Sequence, residues 1–146
     1  MLQAAFNVWN QSVVGLSGVS GLQFRFVLEP IPAAAYKKAA AGTNVLNVSG
    51  YEGGLIITGL LIGWVNEGDD ALVNRVAKEI VDGISAKAKQ LGEDRDLVYL
   101  NYASPWQDVI SSYGAANVAE LKKVSQKYDP KGVFQKKVPG GFKLPF

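Results

Sequence analysis

One stretch limits the folds open to this chain more than any other. From Asp69 or Asp70 to Gly92, the residues Val73, Val76, Ala77, Ile80, Ile84, Ala88 and Leu91 recur at intervals of three and four. That spacing lines one face of an α-helix with apolar side chains. Either aspartate suits the N-cap, and Gly92 suits the stop. Such a helix cannot bury its own stripe, so a second layer must lie against it.

The segments ahead of it read as that layer. Leu22, Phe24, Phe26 and Leu28 alternate with Gln23, Arg25, Val27 and Glu29, a half-buried strand closed by Pro30 and Pro32. Leu55 to Trp64 is a continuous apolar run, which suggests a central strand buried on both faces. Gly59 and Gly63 within it suggest a bulge or a close backbone approach. Met1 to Trp9 has helical spacing before Gly15, Gly18 and Gly21 break it. Pro32 can open a short alanine-rich helix over 33–41 that stops at Gly42.

Beyond the long helix, Leu97 to Asn101 is short, apolar and tyrosine-bearing, as a strand would be. Ser104, Pro105 and Gln107 then stand where an N-cap, a first-turn proline and a capping-box partner belong, implying a short helix to Tyr113 and Gly114. A second helix runs from about Ala116 to Tyr128 and buries Val118, Leu121, Val124 and Tyr128, while Lys122, Lys123, Gln126 and Lys127 face water. Asp129 and Pro130 end it, and an aperiodic tail follows. The expected fold class is α+β: an antiparallel sheet of three or four strands backed by helices, with a carboxyl-terminal helical cap and extended tail. At 146 residues, one domain spanning 1–146 is the expectation.

Composition matters mainly for what it removes. Without cysteine or histidine there is no disulfide, no thiolate or imidazole chemistry, and no metal site is expected. The net charge of +2 gives no field that argues for nucleic acid or a membrane as partner. Seven lysines between Lys122 and Lys143 read as a solvated helix face and tail. The apolar run from Leu55 is too short to span a bilayer, and no signal peptide is visible at the amino end, so a soluble chain is expected, its compartment unknown. Gly15, Gly18 and Gly21 lack the dinucleotide-binding spacing, and YEGG at Tyr51 to Gly54 lacks the Lys-Ser/Thr of a phosphate loop.

Four linked motifs carry more information. They are Y-L-N-Y-A-S-P at Tyr99 to Pro105, S-Y-G at Ser112 to Gly114, K-Y-D-P-K-G-V-F-Q at Lys127 to Gln135, and V-P-G-G-F-K-L at Val138 to Leu144. In order and spacing they resemble the carboxyl end of berberine-bridge-enzyme-like, FAD-linked oxidoreductases of the vanillyl-alcohol-oxidase superfamily, nearest to the fungal branch. The resemblance implies the second half of a substrate domain plus the segment that returns to the flavin domain. It also implies that the FAD-binding domain is absent, so that this chain does not hold FAD stably alone. A truncated gene product, or a half that needs an FAD-domain partner, is the expectation.

Carried over by position, Tyr99 and Tyr102 match the family's catalytic tyrosines, with Tyr102 at the place of the general base. Asn101 matches the residue packed against the cofactor, which Tyr99 also approaches. Gln23 and Arg25, on the polar face of the first strand, and Asn47 are candidates for contact with a small-molecule substrate. Ser104 stands where the family often has an acid. Taken without the linked motifs, tyrosines in a strand read as core packing. Strict alternation would also put Tyr99 and Asn101 on one face and Tyr102 on the other, so both phenols reach one site only if the strand ends early. The implied reaction is oxidation of an alcohol, amine or C–H bond of a secondary metabolite or sugar. The alternative is a standalone non-catalytic module that binds an apolar small molecule or forms a homo-oligomer.

Overall fold

A computed structural model describes residues 1–38, 44–46, 48 and 51–145. Its elements in chain order are α1 (Leu2–Ser12), β1 (Gln23–Ile31), α2 (Ala33–Tyr36), β2 (Leu55–Gly63), α3 (Asp70–Gln90), α4 (Ala115–Tyr128) and α5 (Val133–Lys136), with short 3-10 turns between several of them. The fold is α+β. Among the described residues the antiparallel sheet has two strands, β1 beside β2, rather than three or four. The chain forms two compact units, one from Met1–Glu29 and Ile56–Arg95, the other from Pro30–Leu55 and Asp96–Phe146.

The first unit is built on the α3 stripe. Val73, Val76 and Ile80 are buried with Leu16 and Val19, and Phe24, Leu60, Ile62 and Trp64 pack on them from the sheet side. α1 crosses α3 so closely that a Cβ on Gly83 would lie 2.9 Å from Val8 Cγ1. Trp9 of α1 stacks on Phe26 at 5.7 Å between ring centroids and meets Phe24 edge-on. The carboxyl end of α3 closes with paired hydrogen bonds, Glu93 N–H to Ala88 O and Gly92 N–H to Lys89 O. This Schellman arrangement satisfies two carbonyls the helix would otherwise leave open.

Several expectations change here. Neither Asp69 nor Asp70 caps α3 through its side chain; the Asp70 carboxylate instead accepts the Trp64 indole N–H at 2.7 Å. Leu91 ends the stripe half-exposed. β2 is not buried on both faces, because its residues alternate between half-buried and exposed, with Ile56 and Leu61 open. The alternation slips by one residue at Gly59–Leu60, as a bulge would make it. Pro30 does not close β1, which continues to Ile31.

In the second unit Val109, Ile110 and Tyr113 are buried, and Leu46, Leu97, Val98, Val118, Leu121, Phe142 and Leu144 surround them. The expected strand at Leu97–Asn101 is not formed: up to Tyr99 the chain makes no strand ladder among the described residues, and Leu100–Tyr102 is a 3-10 turn. An apolar run needs an adjacent strand to complete its ladder, and among the described residues none pairs with this one. Ser104–Gln107 makes a turn rather than a helix, yet the Gln107 side chain accepts the Ser104 N–H at 2.9 Å, half of the expected capping box. α4 matches its expected span, but Val124 and Tyr128 are exposed while Lys122 is half-buried. α2 is shorter than expected, ending at Tyr36; residues 39–43 lie outside the described residues.

The Y-D-P-K-G motif has a local explanation. Asp129 ends α4 and directs both carboxylate oxygens onward, accepting the N–H groups of Val133 at 2.8 Å and Phe134 at 2.9 Å. Gly132, at φ +66°, makes the turn that brings those amides within reach. Gln135 then accepts the Leu144 N–H at 2.9 Å, and Lys143 Nζ donates to the Phe134 and Val138 carbonyls. The tail is thereby folded back on α5.

Candidate functional site

The turn at Leu100–Tyr102 brings the motif tyrosines together. Tyr99 is the last extended residue (φ −76°, ψ 113°), and its carbonyl accepts the Tyr102 N–H at 3.0 Å. A 3-10 turn eclipses side chains at i and i+3, so Tyr102 swings to the side of Tyr99 instead of the opposite face. The rings meet edge to face, 85° apart with centroids separated by 5.2 Å. Asn101 Nδ2 donates to Tyr99 Oη at 3.0 Å. Tyr99 is half-buried, Asn101 exposed, and Tyr102 58% exposed. The result is an open surface of two phenols and an amide, positioned from one side by the core of the second unit.

Behind it lies Tyr113, buried among Val109 and Ile110. Burial pushes the Tyr113 phenol above its ordinary range, and its neighbour Tyr99 adds to that. Ser112 ties this core to the tyrosine stretch: its hydroxyl donates to Val109 O at 2.6 Å and accepts the Val98 N–H at 3.0 Å. The S-Y-G motif marked this place in the sequence, but nothing local in it foretold a contact 14 residues away. Gly114 (φ +86°) then turns the chain into α4. On the far side of that turn, Ser111, Ala115, Val118, Ala119 and Lys122 line an open cavity of about 340 Å³.

Gln23 and Arg25 belong to the first unit, where with Leu61, Ile62 and Gly63 they line a shallow cavity of about 220 Å³. Asn47 lies outside the described residues. The Y-E-G-G stretch engages its own chain: Lys37 pairs with Glu52 at 2.6 Å, and the Tyr36 hydroxyl donates to Gly53 O. The Lys37 ammonium holds the Glu52 carboxyl below its usual range, first through the hydrogen bond and then through its charge. No group of three or more acidic residues able to hold a metal ion occurs among the described residues.

The donor set fits part of a flavin cofactor. Two phenol rings and an amide suit contact with a planar, hydrogen-bonding ring system. A diphosphate calls instead for a glycine-rich turn at a helix start with its N–H groups aimed outward, and among the described residues the longer helices open at Met1, Asp69 and Gly114 with no glycine-rich run. Gly114 and Gly132 each lead into a helix, but each stands alone rather than in a glycine-rich run, and the N–H groups of Val133 and Phe134 after Gly132 are taken by Asp129.

The relatives of this chain are fungal proteins, chiefly FAD-dependent monooxygenases and thus FAD-linked oxidoreductases. The FAD-dependent monooxygenase drtC of Aspergillus calidoustus is 47% identical over 81 residues, 56% of this chain and 16% of the relative. The FAD-dependent monooxygenase AOL_s00215g279 of Arthrobotrys oligospora is 32% identical over 143 residues, 97% of this chain and 27% of the relative. A Diaporthe leptostromiformis protein named oligopeptidase PhomG' is 42% identical over 147 residues, 99% of this chain but 12% of that protein. The chain therefore spans between about an eighth and a quarter of the length of these relatives. No family model matches it, and no solved structure does.

Proposed function

We propose that this chain is the carboxyl-terminal, substrate-domain portion of a berberine-bridge-enzyme-like FAD-linked oxidoreductase, supplying one wall of a flavin and substrate site. The observation that carries the reading is the 3-10 turn that puts Tyr99, Asn101 and Tyr102 on one open surface. The names of the fungal relatives support the flavin part of it. A flavin bound there would accept hydride from the substrate carbon and return the electrons to oxygen. The residues of this chain do the rest. Tyr102 Oη, as the phenolate, would take the substrate hydroxyl or amine proton; with a reference phenol pKa near 10, that role requires the complete site to stabilise the anion. Tyr99 and Asn101 press on the ring system and orient it. The substrates are alcohols, amines or activated C–H bonds of secondary metabolites or sugars, and the protein segment bearing FAD is the partner.

Co-expression with an FAD-binding segment from a fungal relative tests this. Tyr102→Phe is expected to keep flavin bound and lower turnover by about 10²- to 10⁴-fold. Unchanged turnover in that variant removes Tyr102 from the chemistry. A 1:1 flavin spectrum from this chain alone would show that it supplies more than a wall. Exposed apolar side chains favour a second reading, a non-catalytic module that self-associates: Ile56 and Leu61 on the sheet, Tyr128 at 73% and Phe134 at 65% exposure. Light scattering that gives a concentration-independent monomer would rule that out.

A further inference from the structure

We infer that Ser112 is a positioning residue for the Tyr99–Tyr102 pair, acting through the backbone amide of Val98. The inference deepens the flavin-site reading and rests on it for its functional meaning, though the geometry stands on its own.

Tyr99 sits at a joint. Before it the chain has no strand partner among the described residues; after it the chain enters the 3-10 turn. In a sheet, ladder hydrogen bonds would hold such a joint; here a bond on either side of it contributes. The Tyr99 carbonyl is held by Tyr102 N–H at 3.0 Å. One residue further back, the Leu97–Val98 peptide is held by Val98 N–H donating to Ser112 Oγ at 3.0 Å. A hydroxyl has one proton, and that of Ser112 goes to Val109 O at 2.6 Å. Its lone pairs are therefore turned toward Val98, and the two bonds fix each other's direction. Val109, which anchors the serine, is 1% exposed, so the reference point for the joint is a fully buried residue of the unit's core.

Residues farther on finish the job. Gln107 holds the Ser104 N–H, which fixes the chain where it leaves the turn. Tyr113, next to Ser112, is buried against the same cluster. Removing the Ser112 hydroxyl leaves the half-buried Val98 N–H without this partner, while Val109 O keeps the Ser112 N–H at 3.2 Å, and frees the residue ahead of Tyr99 to rotate. Because edge-to-face ring contact depends on angle as well as distance, the pair is the first thing such a rotation would disturb.

The test is ring-labelled tyrosine NMR on the chain as it stands. Ser112→Ala is expected to abolish the cross-relaxation between the Tyr99 and Tyr102 rings, and Ser112→Thr, which keeps the hydroxyl, to restore it. Val118→Ala, which loosens the same cluster but touches neither hydrogen bond, is expected to leave it intact. Persistence of the ring contact in Ser112→Ala, or its loss in Val118→Ala at matched stability, overturns the inference. If Ser112→Ala does not fold, amide exchange in the unaltered chain decides: Val98 N–H is expected at least tenfold protected, and exchange at the rate of a free amide overturns the inference. Failure of the flavin reading would leave all these signals in place and appear only as undiminished turnover in Tyr102→Phe.

Discussion

Tyr99 and Tyr102 stand three residues apart on one turn of 3-10 helix and meet edge to face, with Asn101 bonded to the Tyr99 hydroxyl. A half-buried ring in such a contact contributes both area and geometry. Tyr99→Ala should cost about 2 kcal/mol, combining partial loss of ring burial with the aromatic pair. Tyr99→Phe should cost under about 1 kcal/mol, since only the Asn101 acceptor is lost. Urea denaturation compares the two, and equal costs would mean that the ring contributes nothing.

Asp129 accepts two backbone amides at the start of α5. Asp129→Ala should lower stability by about 1–2 kcal/mol, in the range of an N-cap loss, and raise amide exchange at Val133 and Phe134. Asp129→Asn retains one oxygen and should lose about half as much. Unchanged exchange at both amides would show that the cap is not formed in solution.

The α1–α3 crossing leaves little room at Gly83. Alanine there gains about 1 kcal/mol of helix propensity but pushes a methyl against the stiff Val8 side chain, a clash of about 1–3 kcal/mol. Gly83→Ala is therefore expected to be net destabilising by about 1 kcal/mol. Val8→Ala combined with Gly83→Ala should recover part of that loss, a non-additivity that a double-mutant cycle measures directly. Simple additivity would place the two helices farther apart.

Tyr113 gives the fold an alkaline limit. Its phenol is raised by burial and, less, by Tyr99, so the folded state holds the proton more tightly than the unfolded chain. Its contribution is complete below the unfolded value of about 10 and is lost as pH rises through the folded one. Melting temperature should fall from about pH 10 upward, and Tyr113→Phe should flatten that fall. A parallel fall in both proteins would assign it elsewhere.

What the sequence disclosed depended on whether a signal was local. α3 and α4 were legible nearly to the residue, because a period of three and four is written in the helix itself. The strand expected at Leu97–Asn101 failed for the opposite reason: β-propensity reports a fit to a pleated surface, and among the described residues no strand pairs with this run. β2 lost its second buried face in the same way, since an apolar run does not say whether a layer covers it. Asp69 and Asp70 both have the chemistry of a cap, yet neither side chain caps α3 and Asp70 serves Trp64 instead, a choice set by the position of an indole six residues back. In the candidate site, Tyr99, Asn101 and Tyr102 were legible as a motif, whereas their meeting on one side followed from a turn type that alternation could not foresee. Ser112 was visible only as a letter in S-Y-G.

The 3-10 turn also turns the motif's spacing into a pitch. With three residues per turn and a rise of about 2 Å each, Tyr99 and Tyr102 are one full screw repeat apart. A residue inserted between them would carry the second phenol about a third of a revolution around the axis, and a deletion would carry it as far the other way. Two intervening positions are thus a mechanical setting, free to vary in identity at Leu100 but not in number.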